Sequence, residues 1–403
     1  MQKRNDIAKI EMPSYNRRLT QLGLGGYLFI GTAAVLLPSM MPSITDEFTA
    51  AGLTVAAIGL IFPARAAGGI VGNLLSGLGS DMLGRQRLVW LSALLLAASL
   101  TLTAIATPWG LFIAGFALVS AAQGALSTGI NAMVADANRQ SRARMLNILH
   151  GVYGAGAALS PLIIGLLVDG GLAWRWALAG AGLIWLVYGI VAARFDQAGL
   201  PGVQAAKARQ SDFSMLGKLP FLALFLIAFI YNGVAWSLLG WLALFMQQSA
   251  GLSTFFSVIS ISVFYVALTI GRFICAAFAE RIGYARTLLV LAICVTLTYP
   301  LVVLDFNSTL AVAGVFLTGL GLSGLFPTAM AYGSRLYPDQ TGTVSGTLNV
   351  AMTFGAMAPP FWTGIVAGMW NFQAALAVNY LMLLPLILIA LYLGRSDKTL
   401  TTT

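Results

Sequence analysis

The sequence predicts an all-α polytopic membrane protein with twelve transmembrane helices. Hydrophobic residues make up 59% of the 403 residues and charged residues only 9%, which is too little charge for the surface of a soluble protein of this length. The apolar residues fall into twelve runs of about twenty residues, the length that a helix needs to cross the hydrocarbon core. Runs of this length favour helices over the shorter strands of a membrane barrel.

The runs are separated by short connections, except after the sixth. There, residues 196–218 contain Pro201, Gly202 and several basic residues, and are typical of a flexible polar linker. We therefore expect an N-terminal six-helix bundle over residues 1–195 and a C-terminal six-helix bundle over residues 219–403. The predicted runs are 20–42, 54–79, 88–107, 109–135, 145–168, 174–195, 219–247, 254–279, 287–304, 309–333, 342–367 and 371–394.

A charged turn occurs at the same place in each half of the chain. Gly77-Leu-Gly-Ser-Asp81-Met-Leu-Gly84-Arg85-Gln-Arg87 follows the second run, and Glu280-Arg281-Ile-Gly283 follows the eighth. Asp81 aligns with Glu280, and Gly84 with Gly283, each pair 199 residues apart. The repeat predicts two bundles related by a pseudo-two-fold axis.

This turn resembles the loop 2–3 signature of the major facilitator superfamily of transporters, although Met82 stands where that family usually has a basic residue. The resemblance implies two six-helix bundles that rock about a central site. It also implies a conformational-switch role for this turn rather than a role in substrate specificity. The residues concerned are Gly77, Asp81, Gly84, Arg85, Arg87, Glu280 and Arg281.

Charge predicts the orientation of the chain in the membrane. If the N-terminus is inside, Arg175 is the single basic residue in the outer loops, and Arg65 and Arg272 lie in the interior. Every other basic residue then lies on the cytoplasmic side, which the positive-inside rule favours. The polar segment 1–18 does not resemble a cleavable signal. We expect a multi-pass protein of the plasma (inner) membrane with both termini cytoplasmic.

The sequence argues against several other classes of protein. A membrane-embedded enzyme needs a nucleophile with a base, paired carboxylates or a metal cluster, but none of the 13 acidic residues lies near the middle of a run. Cys275 and Cys294 lie in apolar runs and are typical of packing residues. No nucleotide-binding loop occurs. We expect no enzymatic activity, no cofactor, no metal and no nucleic-acid partner, and a monomer in the lipid bilayer.

Two arginines lie inside the predicted membrane spans. Arg65 is near the bilayer midplane and Arg272 lies nearer the cytoplasmic end of run eight. A buried guanidinium is costly, so each is a candidate ligand for an anionic solute such as a carboxylate. The alternatives are an arginine satisfied by backbone carbonyls for Arg65, and one that extends to the inner surface for Arg272.

His150 is the single histidine of the chain, and it shares a face of run five with Asn147 and Tyr153. Because histidine titrates near neutral pH, it is a candidate for coupling a proton to transport. A hydrogen-bonded structural histidine is the equally weighted alternative.

Two further motifs resemble the fucose/glucose symporter branch of the superfamily. They are Leu146-Asn147-Ile-Leu-His150-Gly-Val-Tyr153-Gly154 in run five and Tyr231-Asn-Gly233-Val-Ala235-Trp-Ser237 in run seven. Ala235 departs from the glutamate that this branch often has. The resemblance implies a sugar-like or small organic substrate.

The predicted function is secondary transport of a small organic solute, with symport as the expected mode. Arg65 and Arg272, with no acid in the interior to neutralise them, favour an anion. The branch resemblance favours a neutral sugar, and multidrug or lipid export is the third possibility. Polar and aromatic residues within the runs are candidates for substrate contacts or for helix packing. The predicted substrate-binding residues are Tyr27, Arg65, Gln123, Asn147, Tyr231, Asn232, Trp236, Arg272 and Asn349.

Overall fold

A computed structural model describes residues 14–138, 140–195, 214–304 and 307–401. These residues form helices and connecting turns, with no β-strand among them. Twelve helical spans are long and apolar enough to cross a membrane, which confirms the predicted number. Residues 196–213 of the predicted linker lie outside the described residues, and the short 3₁₀ helix Ser214–Gly217 follows them.

Five of the twelve spans are interrupted, so the described chain contains seventeen α-helices. The interruptions divide the first, second, ninth, tenth and twelfth spans, and hydropathy alone did not predict them. The helices are α1 (Ser14–Ala34), α2 (Leu36–Ala50), α3 (Val55–Gly59), α4 (Ile61–Leu83), α5 (Arg85–Ile105), α6 (Trp109–Ala137), α7 (Arg142–Asp169), α8 (Trp174–Ala193), α9 (Leu219–Gln248), α10 (Thr254–Ile282), α11 (Tyr284–Thr298), α12 (Pro300–Val303), α13 (Ser308–Leu322), α14 (Leu325–Leu336), α15 (Thr341–Met369), α16 (Phe372–Tyr380) and α17 (Leu384–Thr401).

Glycine makes the two repeated turns possible. Gly84 joins α4 to α5 with φ of 83°, and Gly283 joins α10 to α11 with φ of 89°. Side chains other than glycine rarely adopt this backbone conformation. We call the end of the molecule that carries these two turns the basic end, and the opposite end the far end.

Close helix contacts organise each half of the molecule, where the first half is residues 14–195 and the second half residues 214–401. In the first half, Gly68 and Gly72 place α4 directly on the backbone of α6 at Ala117 and Ala121. In the second half, Gly355 places α15 on the backbone of α9. Small residues allow the helix backbones to approach this closely. Such close packing is important in a membrane, because apolar side chains gain little by moving from lipid to a helix interface.

The two halves meet closely at the far end. Gly59 of α3 lies against Gly364 of α15, and the rings of Phe62 and Trp241 are 5.5 Å apart. Nearer the basic end, helices that face the other half carry exposed polar side chains, including Asn73, Asn147 and Asn349. Since polar groups avoid lipid, these side chains line a cleft between the halves that opens at the basic end.

Candidate substrate-binding site

Arg65 lies at the closed end of the cleft and contacts both halves. Its Nε donates a hydrogen bond of 3.4 Å to Ser120 Oγ on α6. Its guanidinium carbon lies 5.3 Å from the ring centroid of Trp236 on α9, a cation–π contact across the halves. The predicted ligands Arg65 and Trp236 are therefore brought together.

Arg65 makes no ion pair within the described part of the chain. The ion pairs described there lie at the two ends of the molecule, where Arg85 pairs with Asp136 and Arg175 pairs with Glu47. A hydroxyl and an aromatic face do not neutralise a guanidinium, which stays protonated in proteins. The site therefore has an unbalanced positive charge.

A polar stripe on α6 extends from Arg65 toward the basic end. Ser120, Gln123, Ser127 and Asn131 are spaced three or four residues apart, which places them on one face of the helix. The amide nitrogen of Gln123 is buried and has no hydrogen-bond partner among the described residues. An unsatisfied buried donor is costly, so Gln123 is available to a ligand.

Tyr27 is the centre of a second polar cluster, on α1. Its hydroxyl lies 2.9 Å from Ser127 Oγ and accepts a hydrogen bond from the Asn131 amide. Its ring packs edge-on against His150, with centroids 5.5 Å apart. Tyr27 is buried, and these contacts join it to α6 and α7.

Helices α7 and α10 face each other across the halves in three successive contacts, which we call the α7–α10 ladder. Tyr153 and Tyr265 interact through their hydroxyl groups, nearest the far end. Gly154 lies against the hydroxyl of Thr269. About one turn nearer the basic end on each helix, His150 of α7 and Arg272 of α10 come next along the ladder and interact electrostatically.

The other predicted ligands divide between the cleft and the helix packing. Asn147 and Asn349 are exposed at equivalent places on α7 and α15, and Asn349 donates 2.8 Å to the Ser345 carbonyl. Tyr231 is buried and stacks on Phe326. Asn232 is also buried.

The Asn232 amide donates 2.6 Å to the Met352 carbonyl, which ties α9 to α15. The structure therefore uses this amide in helix packing, the alternative that the sequence left open.

The predicted switch residues lie at the basic end, well away from Arg65. Arg85 donates to the Ala132 carbonyl and pairs with Asp136, which ties the turn to the end of α6. Arg87, Glu280 and Arg281 are exposed. Gly77 and Asp81 belong to α4, and the Asp81 side chain lies outside the described part of the structure.

Three residues of the site were missing from the predicted ligands. Ser120 binds Arg65, and Tyr153 and Tyr265 form the first contact of the ladder. The three-to-four-residue spacing of Ser120 with Gln123 could have revealed the first, but the tyrosine pair depends on how two distant helices meet. Within the described residues, no group of three histidines, cysteines or acids could hold a metal.

Comparison with known proteins agrees with this architecture. The chain is 24% identical over 337 residues to the uncharacterized MFS-type transporter YfkL of Bacillus subtilis, covering 79% of this chain and 81% of YfkL. It is 24% identical over 328 residues to the glucose/mannose transporter GlcP of Bacillus subtilis, covering 77% and 79% of the two chains.

Solved structures share the fold at low identity. A bacterial homologue of the human lysosomal transporter Spinster, in an inward-facing and unoccupied conformation, superposes with a TM-score of 0.78 at 14% identity, covering 94% of this chain and 97% of that one. The nucleoside transporter NupG gives a TM-score of 0.77 at 14% identity, covering 94% and 99%.

These relatives are transporters and not enzymes, as the sequence predicted. The family profile described as Major Facilitator Superfamily matches residues 23–360 and 260–402, most of the chain. With twelve spans that can cross a bilayer, the protein is an integral multi-pass membrane protein. It belongs to the Major Facilitator Superfamily, and its small-molecule substrate binds within the membrane.

Proposed function

We propose that this protein is a secondary transporter of a small organic anion, one that carries a carboxylate or a comparable group. The observation that supports this most directly is Arg65, a cation inside the membrane that is bonded to Ser120 and Trp236 and to no acid among the described residues. A charged group within the bilayer is rarely kept without a partner. An anionic solute supplies that partner and leaves the occupied site neutral.

The proposed orientation places the basic end in the cytoplasm, in the plasma (inner) membrane. Described basic residues at that end include Arg142, Arg144, Arg281 and Arg286, whereas Arg175 lies at the far end. The positive-inside rule favours this arrangement. The cleft would then open to the cytoplasm in this structure, with the far-end contacts closing the outer side.

In the proposed mechanism, binding and rocking use different contacts. The carboxylate binds the Arg65 guanidinium, and Gln123 donates a further hydrogen bond from its free amide. Trp236 covers the opposite side of the solute from the second half. Rocking of the halves opens the far end by separating Gly59 from Gly364. His150 carries a proton together with the solute, so the protein acts as a symporter.

A neutral sugar is the second candidate substrate. The specific observation in its favour is the similarity to the glucose/mannose transporter GlcP over most of both chains. An aromatic face such as Trp236 and a free amide donor such as Gln123 would also suit a sugar ring. In that case Arg65 would donate hydrogen bonds to hydroxyl groups, and the charge of the solute would not matter.

The variant Arg65→Gln distinguishes the two candidates. Purified protein is screened by thermal shift against organic anions, sugars, amino acids and nucleosides, because a ligand raises the melting temperature according to its concentration over its Kd. We expect the best anion to lose about 1.5–3 kcal/mol of binding energy in Arg65→Gln, or about ten- to a hundredfold in affinity.

Arg286→Gln is the matched control, since Arg286 is exposed on α11 outside the cleft. Its binding should equal that of the parent. If only neutral sugars stabilise the parent, or if Arg65→Gln binds the anion as tightly as the parent does, the anion proposal is wrong and the sugar is favoured.

A further inference from the structure

We propose a second anion-binding site in the same cleft, formed by His150 and Arg272 at the end of the α7–α10 ladder nearest the basic end. The site would take a carboxylate or another small anion and would bind it more tightly at acidic pH. The identity of the transported anion depends on the proposed function, but the existence of this second site does not.

The repeat shows that the two interior arginines do not belong to one symmetric site. With the 199-residue spacing of the repeated turns, Arg65 corresponds to the buried Phe264, and Arg272 corresponds to Asn73. The position equivalent to Arg65 in the second half is thus eight residues from Arg272, or about 12 Å along the helix. The backbones of Arg65 and Arg272 therefore lie at different depths in the membrane.

The tyrosine contact lies at about the same depth as Arg65. Tyr265 precedes Arg272 by seven residues on α10, which is two turns or about 10 Å, and it interacts with Tyr153 from α7. His150 lies one turn beyond Tyr153 in the direction of the basic end. By the repeat, Arg65 is level with Phe264, which is next to Tyr265, so Arg272 lies about two turns nearer the basic end than Arg65 and the tyrosine contact.

The groups around His150 supply positive charge and hydrogen-bond donors. Because Gly154 lies against Thr269 and the two helices run in opposite directions, Arg272 of α10 lies near His150. Tyr27 packs against His150 from α1, and Asn147 lies one turn away on α7. The described acid that α6 carries at this end, Asp136, pairs with Arg85. Among the described residues, no acid is paired with either His150 or Arg272.

The exposed side chains of His150 and Arg272 make this second site accessible to an anion. The side chains of His150 and Arg272 are both exposed on helices that contact each other across the halves, so they face the open part of the cleft. With His150 neutral, an anion meets one guanidinium; with His150 protonated, it meets two cations from opposite halves. An anion there would relieve their repulsion and hold α7 against α10.

The position of the site implies a function in the transport path. A solute that leaves Arg65 and the neighbouring tyrosine contact toward the basic end meets His150 and Arg272 next. A second anion site there would shorten the distance over which the solute moves without a cation beside it, and would make release depend on the pH on that side.

Acetate is a suitable probe, because it is little more than a carboxylate. The melting temperature of the full-length protein is measured against sodium acetate at pH 5.5 and pH 8, with the same concentrations of sodium fluoride as the reference. The variants are Arg65→Gln, Arg272→Gln, His150→Gln, the double variant of the two arginines, and Arg286→Gln as the surface control.

We expect Arg65→Gln to keep a saturable acetate response that is about tenfold tighter at pH 5.5 than at pH 8. His150→Gln should remove this pH dependence, and the double arginine variant should lose the response. The double variant Arg65→Gln/Arg272→Lys, which keeps the positive charge on α10, should retain the response and so separates loss of charge from misfolding.

The possible contrary results are distinct. If Arg65→Gln alone abolishes the response at both pH values, or if Arg272→Gln keeps the pH dependence of the parent, the second site does not exist. If Arg65→Gln behaves as the parent while Arg272→Gln abolishes the response, the second site stands and the proposed function fails. A parent that shows no response at either pH overturns both.

Discussion

The two halves of the molecule perform the same packing task with different chemistry at their far ends. In the first half, Arg175 donates 2.9 and 2.8 Å to the carbonyls of Ala104 and Ala106 at the end of α5, and it also pairs with Glu47. At the equivalent place in the second half, Gln373 donates 3.0 Å to the Val303 carbonyl at the end of α12. The carbonyl contact is common to both halves, and the charge belongs to the first half alone.

The interiors of the two halves also differ, and again the charged group belongs to the first half. The first half carries Arg65 and the unsatisfied Gln123 amide, whereas interior amides and indoles of the second half bond within that half. There, Trp241 donates 2.8 Å to the Pro360 carbonyl, and Asn379 donates 2.8 Å to Thr363. The difference is that these amides and this indole of the second half hold helices together, while in the first half Arg65 has no ion pair among the described residues and the Gln123 amide is unsatisfied.

The largest difference between the halves is expected at a pair of equivalent glycines. A methyl group at Gly72 would overlap the backbone of Ala121, whereas one at Gly271 would overlap the side chain of Ser323. Backbone cannot move aside, so Gly72→Ala should destabilise the protein by about 3 kcal/mol or more, and Gly271→Ala by about 1–3 kcal/mol. Thermal unfolding in detergent measures both.

A second substitution tests the reason for that difference. Ser323→Gly should restore most of the stability of Gly271→Ala, because it removes the side chain that the methyl group meets. Ala121→Gly should not rescue Gly72→Ala, because the overlapping atoms are backbone atoms. Equal rescue in both halves would show that the two contacts are alike.

Replacing one amide in each half with leucine should separate recognition from packing. Asn232→Leu removes the bond to Met352 and should cost about 0.5–1.5 kcal/mol of stability with ligand affinity unchanged. Gln123→Leu removes no bond within the described residues, so its stability should not fall. Its ligand affinity should fall about two- to tenfold. Thermal shifts with and without ligand measure both quantities, and the opposite pattern would reverse the roles of the halves.

The smallest effect is expected where the chemistry of the second half is copied into the first. Arg175→Gln should keep a carbonyl contact like that of Gln373 and lose the partly exposed ion pair with Glu47. Exposed pairs contribute little, so the cost should be about 0–1 kcal/mol and should shrink further at high salt. A loss well above this range, unchanged by salt, would mean that the charge itself stabilises the far end.

Local sequence determined the spans, the repeat and the turns of this protein. Twenty-residue apolar runs can satisfy their backbone in lipid only as helices, so the twelve spans follow from hydropathy without knowledge of any contact. Gly84 and Gly283 belong to the repeated turn that the sequence predicted, and both have positive φ. The division into residues 1–195 and 219–403 stays a prediction, since part of the linker lies outside the described residues.

Tertiary structure decided which polar residues line the cleft and which ones pack helices. Asn232 and Gln123 are both amides inside apolar runs, yet one bonds to Met352 and the other has no partner. The pairing of Arg65 with Trp236 joins residues of different halves. Such contacts depend on the rotation and tilt of helices that are far apart in the chain. Neither hydropathy nor spacing specifies those angles, because they result from packing between whole helices.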